Sequence, residues 1–215
     1  MAHELRNPIA AIRTLAQTAN GMYDGLSEDD RREFFRLIDD EARRLGQVAD
    51  RMSMALKLEA GTVAYDRRRV ELAPIVRAAA EGVVPGDHRV RIEMDEAVVA
   101  DVDVARIADV VSELVDNAVK FSPPGSTVDV RARAVDGRAV IEIADSGPGI
   151  PTDRRAAVFE RFSRVRPPGY GDAPGAGLGL YLARAHVAAH GGRIDIESRD
   201  GGVGTILRVE VPAEG

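Results

Sequence analysis

The spacing of apolar residues changes near residue 61, and this change divides the chain into two regions of different fold. Up to residue 60 the apolar positions recur every three or four residues, the period of helices that pack side by side. They form two stripes: Leu5, Ile9, Ile12, Ala16 and Ala19, then Phe35, Ile38, Ala42, Leu45, Ala49, Met52 and Leu56. A turn at 21–27, with Ser27 or Asp29 capping the second helix, predicts an antiparallel helical hairpin. Two such stripes cannot enclose a core alone, so we expect a dimeric four-helix bundle.

From Thr62 onward, apolar and polar residues alternate over short runs, which is typical of β-strands. Six runs follow this pattern, at 70–72, 90–94, 128–131, 139–143, 193–197 and 206–211. Helical stretches fall between them, at about 73–83, 103–121 and 178–190. Strands paired as hairpins and interleaved with three helices predict an α+β chain whose second part is an α/β sandwich. The predicted domains are 1–61 and 62–215, since the helical period stops at Gly61.

The composition narrows the functional classes. The 215 residues carry 29 Lys and Arg against 35 Asp and Glu, a formal net charge of −6. This balance provides no basic face, so we expect no nucleic-acid partner. No apolar run reaches the roughly 18–20 residues that span a bilayer. The chain has no cysteine, which excludes disulfides and thiolate chemistry and fits a cytoplasmic location.

One face of the predicted helix at 103–121 carries three polar side chains that could serve a ligand. Glu113, Asn117 and Lys120 follow one another at intervals of four and three residues. The opposite face is apolar and consists of Val111, Leu114, Val115 and Ala118. A carboxylate, an amide and an ammonium on one stripe suit a hydrated metal ion with a phosphate. An ordinary solvated helix face has the same pattern and is the alternative.

A carboxylate stands at the end of a predicted strand. Ile141, Ile143 and Asp145 alternate, so Asp145 should face the core together with the two isoleucines. A buried carboxylate needs a hydrogen-bond donor, and the amino group of a nucleobase would serve. Gly147 and Gly149 follow in a tight segment against which a flat ligand could lie. A Gly-Pro turn capped by the aspartate is the alternative.

A second glycine segment opens the predicted helix at 178–190. Gly175, Gly177 and Gly179, with Leu178 between the last two, can present backbone N–H groups to phosphates. No strand of a βαβ unit directly precedes them, which excludes a Rossmann dinucleotide site. The residues upstream, 167–174, are rich in proline and glycine and predict a mobile lid.

The start of the chain contains His3, Glu4 and Asn7, followed by Pro8. His3 precedes Leu5 by two residues, about 200° around a helix, and so points away from the apolar stripe. A neutral imidazole is a competent nucleophile near pH 7, and Glu4 could orient it or accept its proton. Asn7 and Pro8 are also suited to start a helix, which would leave residues 1–6 frayed.

The remaining histidines give no sign of a site. His190 precedes Gly191 at the end of a predicted helix and is interpreted as a structural C-terminal cap. His186 and His88 have no convergent partners in the sequence. We therefore expect no metal site built on histidine.

The order of these segments resembles the catalytic core of the two-component sensor histidine kinases. The matching segments, which cover nearly the whole chain, are His3-Glu4-Leu5-Arg6-Asn7-Pro8, Asn117-Ala118-Val119-Lys120-Phe121, Asp145-x-Gly147-x-Gly149, Phe159-Glu160-Arg161-Phe162 and Gly175-x-Gly177-x-Gly179. The resemblance implies a dimerisation and histidine-phosphotransfer domain at 1–61. It implies an ATP-binding domain of the Bergerat type, shared with gyrase, MutL and the heat-shock ATPases, at 62–215.

The resemblance also implies roles in ATP and Mg²⁺ binding. Asn117 would be a Mg²⁺ ligand, Asp145 would accept the adenine amino group, and Lys120 would lie near the phosphates. Glu113 departs from the family, which often has Asn at this position. Glu113 would hold Mg²⁺, directly or through water, or act as a base that activates water as in the related ATPases. We favour the metal role, because the hairpin supplies a better nucleophile than water.

Other residues would shape the nucleotide pocket by the same resemblance. The adenine side would be formed by Gly147 and Gly149, and the phosphate side by Gly175, Gly177, Leu178 and Gly179. The hydrophobic anchor of an ATP lid at about 163–174 would be formed by Phe159 and Phe162.

The implied function is a kinase in which His3 takes the γ-phosphoryl group of Mg·ATP. A homodimer would then pass the group to an aspartate on the receiver domain of a response regulator. Asn7 would position water for the reverse task, dephosphorylation of that partner. One alternative is an ATPase acting through Glu113. The other is a non-catalytic scaffold or a phosphatase-biased regulator acting through Asn7. Helices of this type usually extend upstream, so we expect the sensor and any membrane anchor of the parent protein to precede residue 1.

Overall fold

The chain folds as two compact units, Met1–Thr62 and Val63–Gly215. The computed structural model describes residues 2–83, 87–95, 98–163, 176–199 and 203–213, and only the backbone of residues 2–4. Two long helices come first and a mixed unit of strands and helices follows, which confirms the predicted α+β class. Among the helices of these ranges, none has the length and apolarity needed to cross a membrane.

The first unit is a hairpin of two helices, α1 (Ala2–Gly21) and α2 (Glu28–Glu59), joined through a 3₁₀ turn at Tyr23–Gly25. Pro8 lies inside α1, where it removes one hydrogen bond, but the helix continues on both sides of it. The alternative in which the helix begins at Asn7 is therefore wrong.

A reciprocal cap fixes the start of α2. The hydroxyl oxygen of Ser27 accepts a hydrogen bond from the N–H of Asp30 (3.1 Å), and the Asp30 carboxylate accepts one from the N–H of Ser27 (3.2 Å). Both groups would otherwise be unsatisfied donors at a helix end. Of the two predicted caps, Ser27 is the correct one.

The apolar stripe of α2 is divided into two columns, and one of them faces solvent. The exposed column has a member every seven residues: Phe35, Ala42, Ala49 and Leu56. Phe35 and Leu56 expose 67% and 65% of their surface. The other column is half-buried and consists of Ile38, Leu45 and Met52. A seven-residue repeat of exposed apolar side chains is the seam along which helices of a bundle pack.

The second unit is built on a five-stranded sheet of order β2-β4-β5-β7-β6. Its elements in chain order are β1 (Arg67–Glu71), α3 (Leu72–Glu81), β2 (Arg89–Met94), β3 (Val99–Asp103), α4 (Val104–Phe121), β4 (Thr127–Val135), β5 (Arg138–Ala144), α5 (Gly179–Ala189), β6 (Arg193–Ser198) and β7 (Thr205–Pro212). The pairs β4–β5 and β6–β7 are antiparallel hairpins, as the sequence predicts. β2 instead lies parallel to β4, which corrects the expectation of hairpins. A parallel pair needs a crossover, and α4 forms it.

Two strands form a separate small sheet. β1 pairs antiparallel with β3, and Val70 lies opposite Ala100. The sequence pattern does not predict β3, because carboxylates occupy two of its five positions. Two of its three apolar residues, Ala100 and Val102, are nevertheless fully buried.

The core lies between the sheet and its three helices. Leu114 of α4, Ile141 and Ile143 of β5, and Val209 of β7 are all at most 1% exposed and pack in one cluster. The other face of the sheet carries arginines paired with carboxylates, such as Arg131 with Glu93 at 2.8 Å. The sheet therefore has one dry face and one charged face, as alternation along each strand requires.

A buried cluster of rings lies at the C-terminal end of α5. His190 Nε2 accepts the N–H of Asp103 (2.9 Å), so its Nδ1 carries the proton and lies 2.7 Å from the carbonyl of His186. This confirms His190 as a structural cap. His186 Nδ1 lies 3.0 Å from the hydroxyl of Tyr65, 121 residues away. The expectation that His186 has no partner is therefore wrong.

The buried imidazole of His186 should make the stability of the unit depend on pH. Burial, with a contribution from Arg106, lowers the pKa of His186 to about 4. The unfolded chain, with an ordinary pKa near 6.5, binds a proton that the folded chain excludes. The free energy of unfolding should therefore fall by about 2–3 kcal/mol as the pH drops from 6.5 to 4. Urea unfolding across this range measures it.

The control for this prediction is His186→Gln, which cannot ionise. Carboxylates also titrate at low pH, so the difference between the two pH profiles isolates His186. We expect the profile of the variant to be flatter between pH 6.5 and 4. Parallel profiles would contradict the assignment to His186.

Candidate functional site

The helix α4 presents a carboxylate and an amide side by side. Its apolar face is buried as predicted, with Leu114 and Val115 fully inaccessible. On the other side, Asn117 Nδ2 donates a hydrogen bond of 3.2 Å to Oε1 of Glu113, one turn earlier. Both side chains are half-buried. Two oxygen-bearing groups are thus held at a fixed separation on one helix face.

Lys120 does not join this pair. Its ammonium forms an ion pair with Asp116, also one turn earlier on α4. The sequence places Lys120 on the stripe of Glu113 and Asn117, but a neighbouring carboxylate at the favoured i, i+4 spacing competes for it. A bound phosphate would therefore contact a Lys120 ammonium that is already paired with Asp116.

Asp145 is buried just beyond the end of β5, as its alternation with Ile141 and Ile143 predicts. Its Oδ1 accepts the N–H of Gly147 (2.7 Å) and the N–H of Thr205 (3.0 Å). Burial raises the pKa of Asp145, and these two N–H donors oppose the rise. A carboxylate has about four acceptor positions, so the two bonds orient it and leave capacity for a further donor.

The segment after Asp145 packs on the C-terminal end of α4. The N–H of Ser146 donates to the hydroxyl of Ser122, the C-cap residue of α4 (3.2 Å). A Cβ at Gly147 would lie 2.6 Å from the carbonyl oxygen of Phe121, so no side chain fits there. Gly149 has φ +77°, a conformation that favours glycine. These contacts give a concrete reason for both predicted glycines.

The later glycine segment packs on the middle of α4. Gly177 has φ +60°, and a Cβ there would lie 2.6 Å from the carbonyl oxygen of Ser163. Leu178 is fully buried at the N-cap of α5. Gly179, the first residue of α5, leaves no room for a Cβ because the carboxylate of Glu113 occupies that space. Gly175 and residues 164–174 of the predicted lid lie outside the described residues.

The two predicted lid anchors differ in their surroundings. Phe159 is 7% exposed and belongs to the core cluster. The side chain of Phe162 is 42% exposed, and its backbone has φ +61°, which is unusual for a residue with a side chain. Its N–H donates to the carbonyl of Gly177 (2.8 Å). Phe162 is therefore tied to the glycine segment through its backbone.

The helix α4 sets the spacing between the two glycine segments. Gly179 lies against Glu113 and Gly147 lies against Phe121. These positions are eight residues apart, about 12 Å along a helix axis, with Asn117 midway. An extended nucleoside triphosphate has comparable length. The site therefore has a carboxylate acceptor at one end and the N-terminus of α5, which favours anions, at the other.

Three residues of the site are not found by sequence reasoning. Thr205 and Ser122 bind the segment at Asp145–Gly147 from β7 and α4. Arg199 binds the same segment from behind (Asp145 O, 3.2 Å). The one sequence signal is Gly204 before Thr205: a Cβ at Gly204 would overlap the carbonyl of Asp145.

The N-terminal candidates lie on α1. The backbone of His3 and Glu4 is in the first turn of the helix, and their side chains lie outside the described residues. Asn7 is exposed about one turn further along. The three predicted residues thus share one helix end.

The donor set on α4 suits a magnesium ion. No group of three or more His, Asp or Glu side chains with metal-binding geometry occurs in the part of the chain that the structure describes. Mg²⁺ does not require such a cage, because it binds through one or two protein oxygens, substrate phosphates and water. The adjacent amide of Asn117 and carboxylate of Glu113 provide two hard oxygen donors of this kind.

Comparison with known proteins assigns a class to each unit. Residues 102–215 match the family described as "Histidine kinase-, DNA gyrase B-, and HSP90-like ATPase". Residues 1–61 match the "His Kinase A (phospho-acceptor) domain". The mixed unit is therefore an ATPase-type nucleotide-binding domain, preceded by a phospho-acceptor hairpin. The chain belongs to the sensor histidine kinases, as the order of its motifs predicts.

Known relatives are similar over nearly the full chain. The histidine-protein kinase/phosphatase MprB of Mycobacterium sp. (strain KMS) is 36% identical over 208 residues, covering 91% of this chain and 38% of MprB. The chain spans between 24% and 54% of the length of four other curated relatives.

Two solved structures illustrate the likeness. The mycobacterial sensor histidine kinase MprB matches with a TM-score of 0.60 and 32% identity, covering 69% of this chain and 98% of that one. The histidine kinase ThkA in complex with the response regulator TrrA matches with a TM-score of 0.69 and 20% identity, covering 99% of this chain and 60% of that one. At 20% identity the second match shows the fold alone.

Proposed function

We propose that this chain is an ATP-dependent protein-histidine kinase that phosphorylates itself on His3 and passes the phosphoryl group to a response regulator. The observation that carries the proposal is the buried, hydrogen-bonded carboxylate of Asp145 at one end of a site framed on α4. The membership of both units in kinase families supports it. ATP and receiver domains occur in the cytoplasm, so we assign the reaction to that compartment.

In this proposal the second unit binds ATP along α4. Asp145 accepts a hydrogen bond from the exocyclic amino group of adenine, with Gly147 and Gly149 providing close backbone approach to the base. The segment Gly177–Gly179 receives the phosphates at the start of α5. Lys120 contributes positive charge near them while paired with Asp116. Gly175 belongs to the same phosphate-side motif.

Asn117 and Glu113 would hold Mg²⁺ at the phosphates. The ion supplies charge neutralisation and alignment of the phosphoryl group. Asn117 offers its amide oxygen while its Nδ2 donates to Glu113, so the two side chains fix each other. Phe159, which lies in the core, and Phe162, which is exposed, would form the hydrophobic anchor next to the phosphate-side glycines.

The chemical step is a displacement at the γ-phosphorus. A neutral ring nitrogen of His3 forms a bond to phosphorus, and the bond from phosphorus to the β,γ-bridging oxygen breaks. ADP leaves with that electron pair, and the imidazole proton passes to Glu4 or to water. The phosphoryl group then moves from nitrogen to a carboxylate oxygen of the response regulator. Asn7 orients water for hydrolysis of that acyl phosphate, which would add a phosphatase activity.

The partners of this reaction are a second copy of the chain and a receiver domain. The exposed column Phe35, Ala42, Ala49 and Leu56 supports a homodimeric four-helix bundle, since burying it needs an apolar helix face of equal length. The structure of ThkA in complex with the response regulator TrrA supports a receiver domain as the second partner.

The test of the proposal is incubation of the chain with γ-labelled ATP and Mg²⁺. We expect label that is acid-labile and alkali-stable, the signature of a phosphorus–nitrogen bond on histidine. Release of inorganic phosphate with no labelled chain would favour an ATPase instead. Failure to bind Mg·ATP would favour a non-catalytic scaffold.

Glu113→Gln separates the two roles of this carboxylate. An amide oxygen is a weaker Mg²⁺ ligand than a carboxylate, so we expect labelling to slow about tenfold and to need more Mg²⁺. Labelling rates over a Mg²⁺ titration measure the effect, and Glu197→Gln on the exposed side of β6 is the control. Undiminished labelling, with loss of phosphate release, would instead make Glu113 a base for hydrolysis.

A further inference from the structure

Arg199 lies behind the Asp145 segment, on the charged face of the sheet. Its Nη1 donates to the carbonyl oxygen of Asp145 and to the hydroxyl of Ser146, both at 3.2 Å. Its Nη2 donates to Oδ2 of Asp129 at 2.7 Å. One guanidinium therefore connects the backbone of the base-binding segment to the neighbouring strand β4.

Asp129 holds this guanidinium in place. The Asp129 side chain is only 4% exposed although it lies on the charged face. Its second oxygen, Oδ1, accepts the Nε of Arg91 at 2.7 Å. The two guanidinium groups hold both oxygens of this buried carboxylate, and losing either group would leave one buried oxygen without its donor.

The carbonyl of Asp145 needs a partner from outside the sheet. The ladder between β5 and β7 ends with Ala144 opposite Ile206. The N–H of Asp145 still donates to the carbonyl oxygen of Thr205 (2.8 Å). The carbonyl of Asp145 instead faces Gly204, and the two lie so close together that a Cβ at Gly204 would not fit. A buried carbonyl without a donor is costly, and Arg199 supplies the donor.

We propose that Arg199, held by Asp129, is a positioning residue that fixes the strand end carrying Asp145 and so sets the preference of the site for adenine. It acts through the backbone carbonyl of Asp145 and the hydroxyl of Ser146 and does not contact the base. The inference rests on the proposed role of Asp145 as acceptor of the adenine amino group. A carboxylate that is displaced or rotated would present a longer and less well aligned acceptor to the amino group, which weakens that hydrogen bond.

The charge of Arg199 acts in the same direction as its hydrogen bonds. Burial raises the pKa of Asp145, and Arg199 is among the groups that lower it. Removing the guanidinium should favour the protonated acid, which has less capacity to accept a bond from adenine. Geometry and charge therefore both predict weaker base recognition without Arg199.

The experiment compares two nucleotides on the full chain. Inosine triphosphate carries oxygen where ATP carries the amino group, so it gains nothing from a well-placed carboxylate. In Arg199→Met and in Asp129→Asn we expect ATP to bind about tenfold more weakly, and inosine triphosphate to change less than about twofold. The ATP preference should therefore fall about tenfold. Titration calorimetry measures both affinities.

Two further variants control for general loss of structure. Arg131→Met removes an arginine of the same face that pairs with Glu93, and it should leave the ATP preference unchanged. Arg199→Lys keeps a charge but has no planar fork, so its preference should be intermediate. The pH below which ATP binding is lost should rise in Arg199→Met and stay constant in Arg131→Met.

The outcomes are distinct for the two levels of the proposal. If Arg199→Met and Asp129→Asn retain the preference for ATP over inosine triphosphate, the positioning role of Arg199 is overturned. The role of Asp145 as acceptor of the adenine amino group is not affected by that result. Equal loss of both nucleotides would also overturn it, since that is the result of general destabilisation. If Arg199→Met does not fold, the ratio of the two nucleotide affinities in Arg199→Lys and Asp129→Asn decides instead. Equal affinity of the unaltered chain for both nucleotides would overturn the role of Asp145 and this inference with it.

Discussion

Replacing Asp145 with asparagine is expected to weaken ATP binding by about a hundredfold to a thousandfold. The asparagine oxygen would have to accept the N–H groups of Gly147 and Thr205, which now bind Oδ1. Its NH₂ group would then point at the amino group of adenine, placing donor against donor. The loss combines a missing charge-assisted hydrogen bond with unsatisfied donors in a buried place.

Titration calorimetry with ATP measures this effect, and Asp195→Asn is the matched control. Asp195 is an exposed carboxylate on β6 that pairs with Arg193 at 3.2 Å. Its replacement should leave the affinity unchanged. Because burial raises the pKa of Asp145, acidification should also abolish ATP binding at a higher pH than an ordinary aspartate would give. ATP affinity within threefold of the unaltered chain would contradict the proposed role of Asp145.

Replacing His3 with glutamine is expected to reduce labelling from γ-labelled ATP by about a thousandfold or more. Glutamine keeps a polar side chain, but the lone pair of its amide nitrogen is delocalised and does not attack phosphorus. ATP affinity should remain the same, because the proposed nucleotide site lies in the second unit. Loss of labelling with intact binding would identify His3 as the acceptor.

The control for His3→Gln is Arg13→Gln, an exposed change on the same helix. It alters charge on α1 without removing a nucleophile, so labelling should continue. Acid-labile label retained at full strength in His3→Gln would place the acceptor elsewhere and would overturn the role of His3. Residual label that is acid-stable would indicate a serine or threonine ester.

The polar residues of the site that periodicity predicts lie on one helix and at the end of one strand. The apolar positions of α4 settle which face carries Glu113 and Asn117, because helical periodicity is local. The alternation of β5 places Asp145 in the interior for the same reason. Both arguments use residues within a few positions of each other, where backbone geometry alone decides direction.

The part that sequence does not predict consists of contacts over long separations. Arg199 and Asp129 are 70 residues apart, and Thr205 and Asp145 are 60 apart. No local pattern marks such pairs. A local pattern can also fail to predict a contact. Lys120 lies on the expected side of α4, but its ammonium pairs with Asp116 and not with Glu113 or Asn117. The parallel pairing of β2 is likewise set by tertiary packing.

The close approach of Gly179 to Glu113 has a consequence for how this protein can vary. A methyl group at residue 179 would occupy the space of the Glu113 carboxylate, so an alanine there is compatible only with a shorter acid or a retracted one. The residue that is tolerated at one of these positions, which lie 66 residues apart in sequence, therefore depends on the residue at the other. Gly179→Ala combined with Glu113→Asp should be tolerated better than Gly179→Ala alone, the behaviour of a compensating pair.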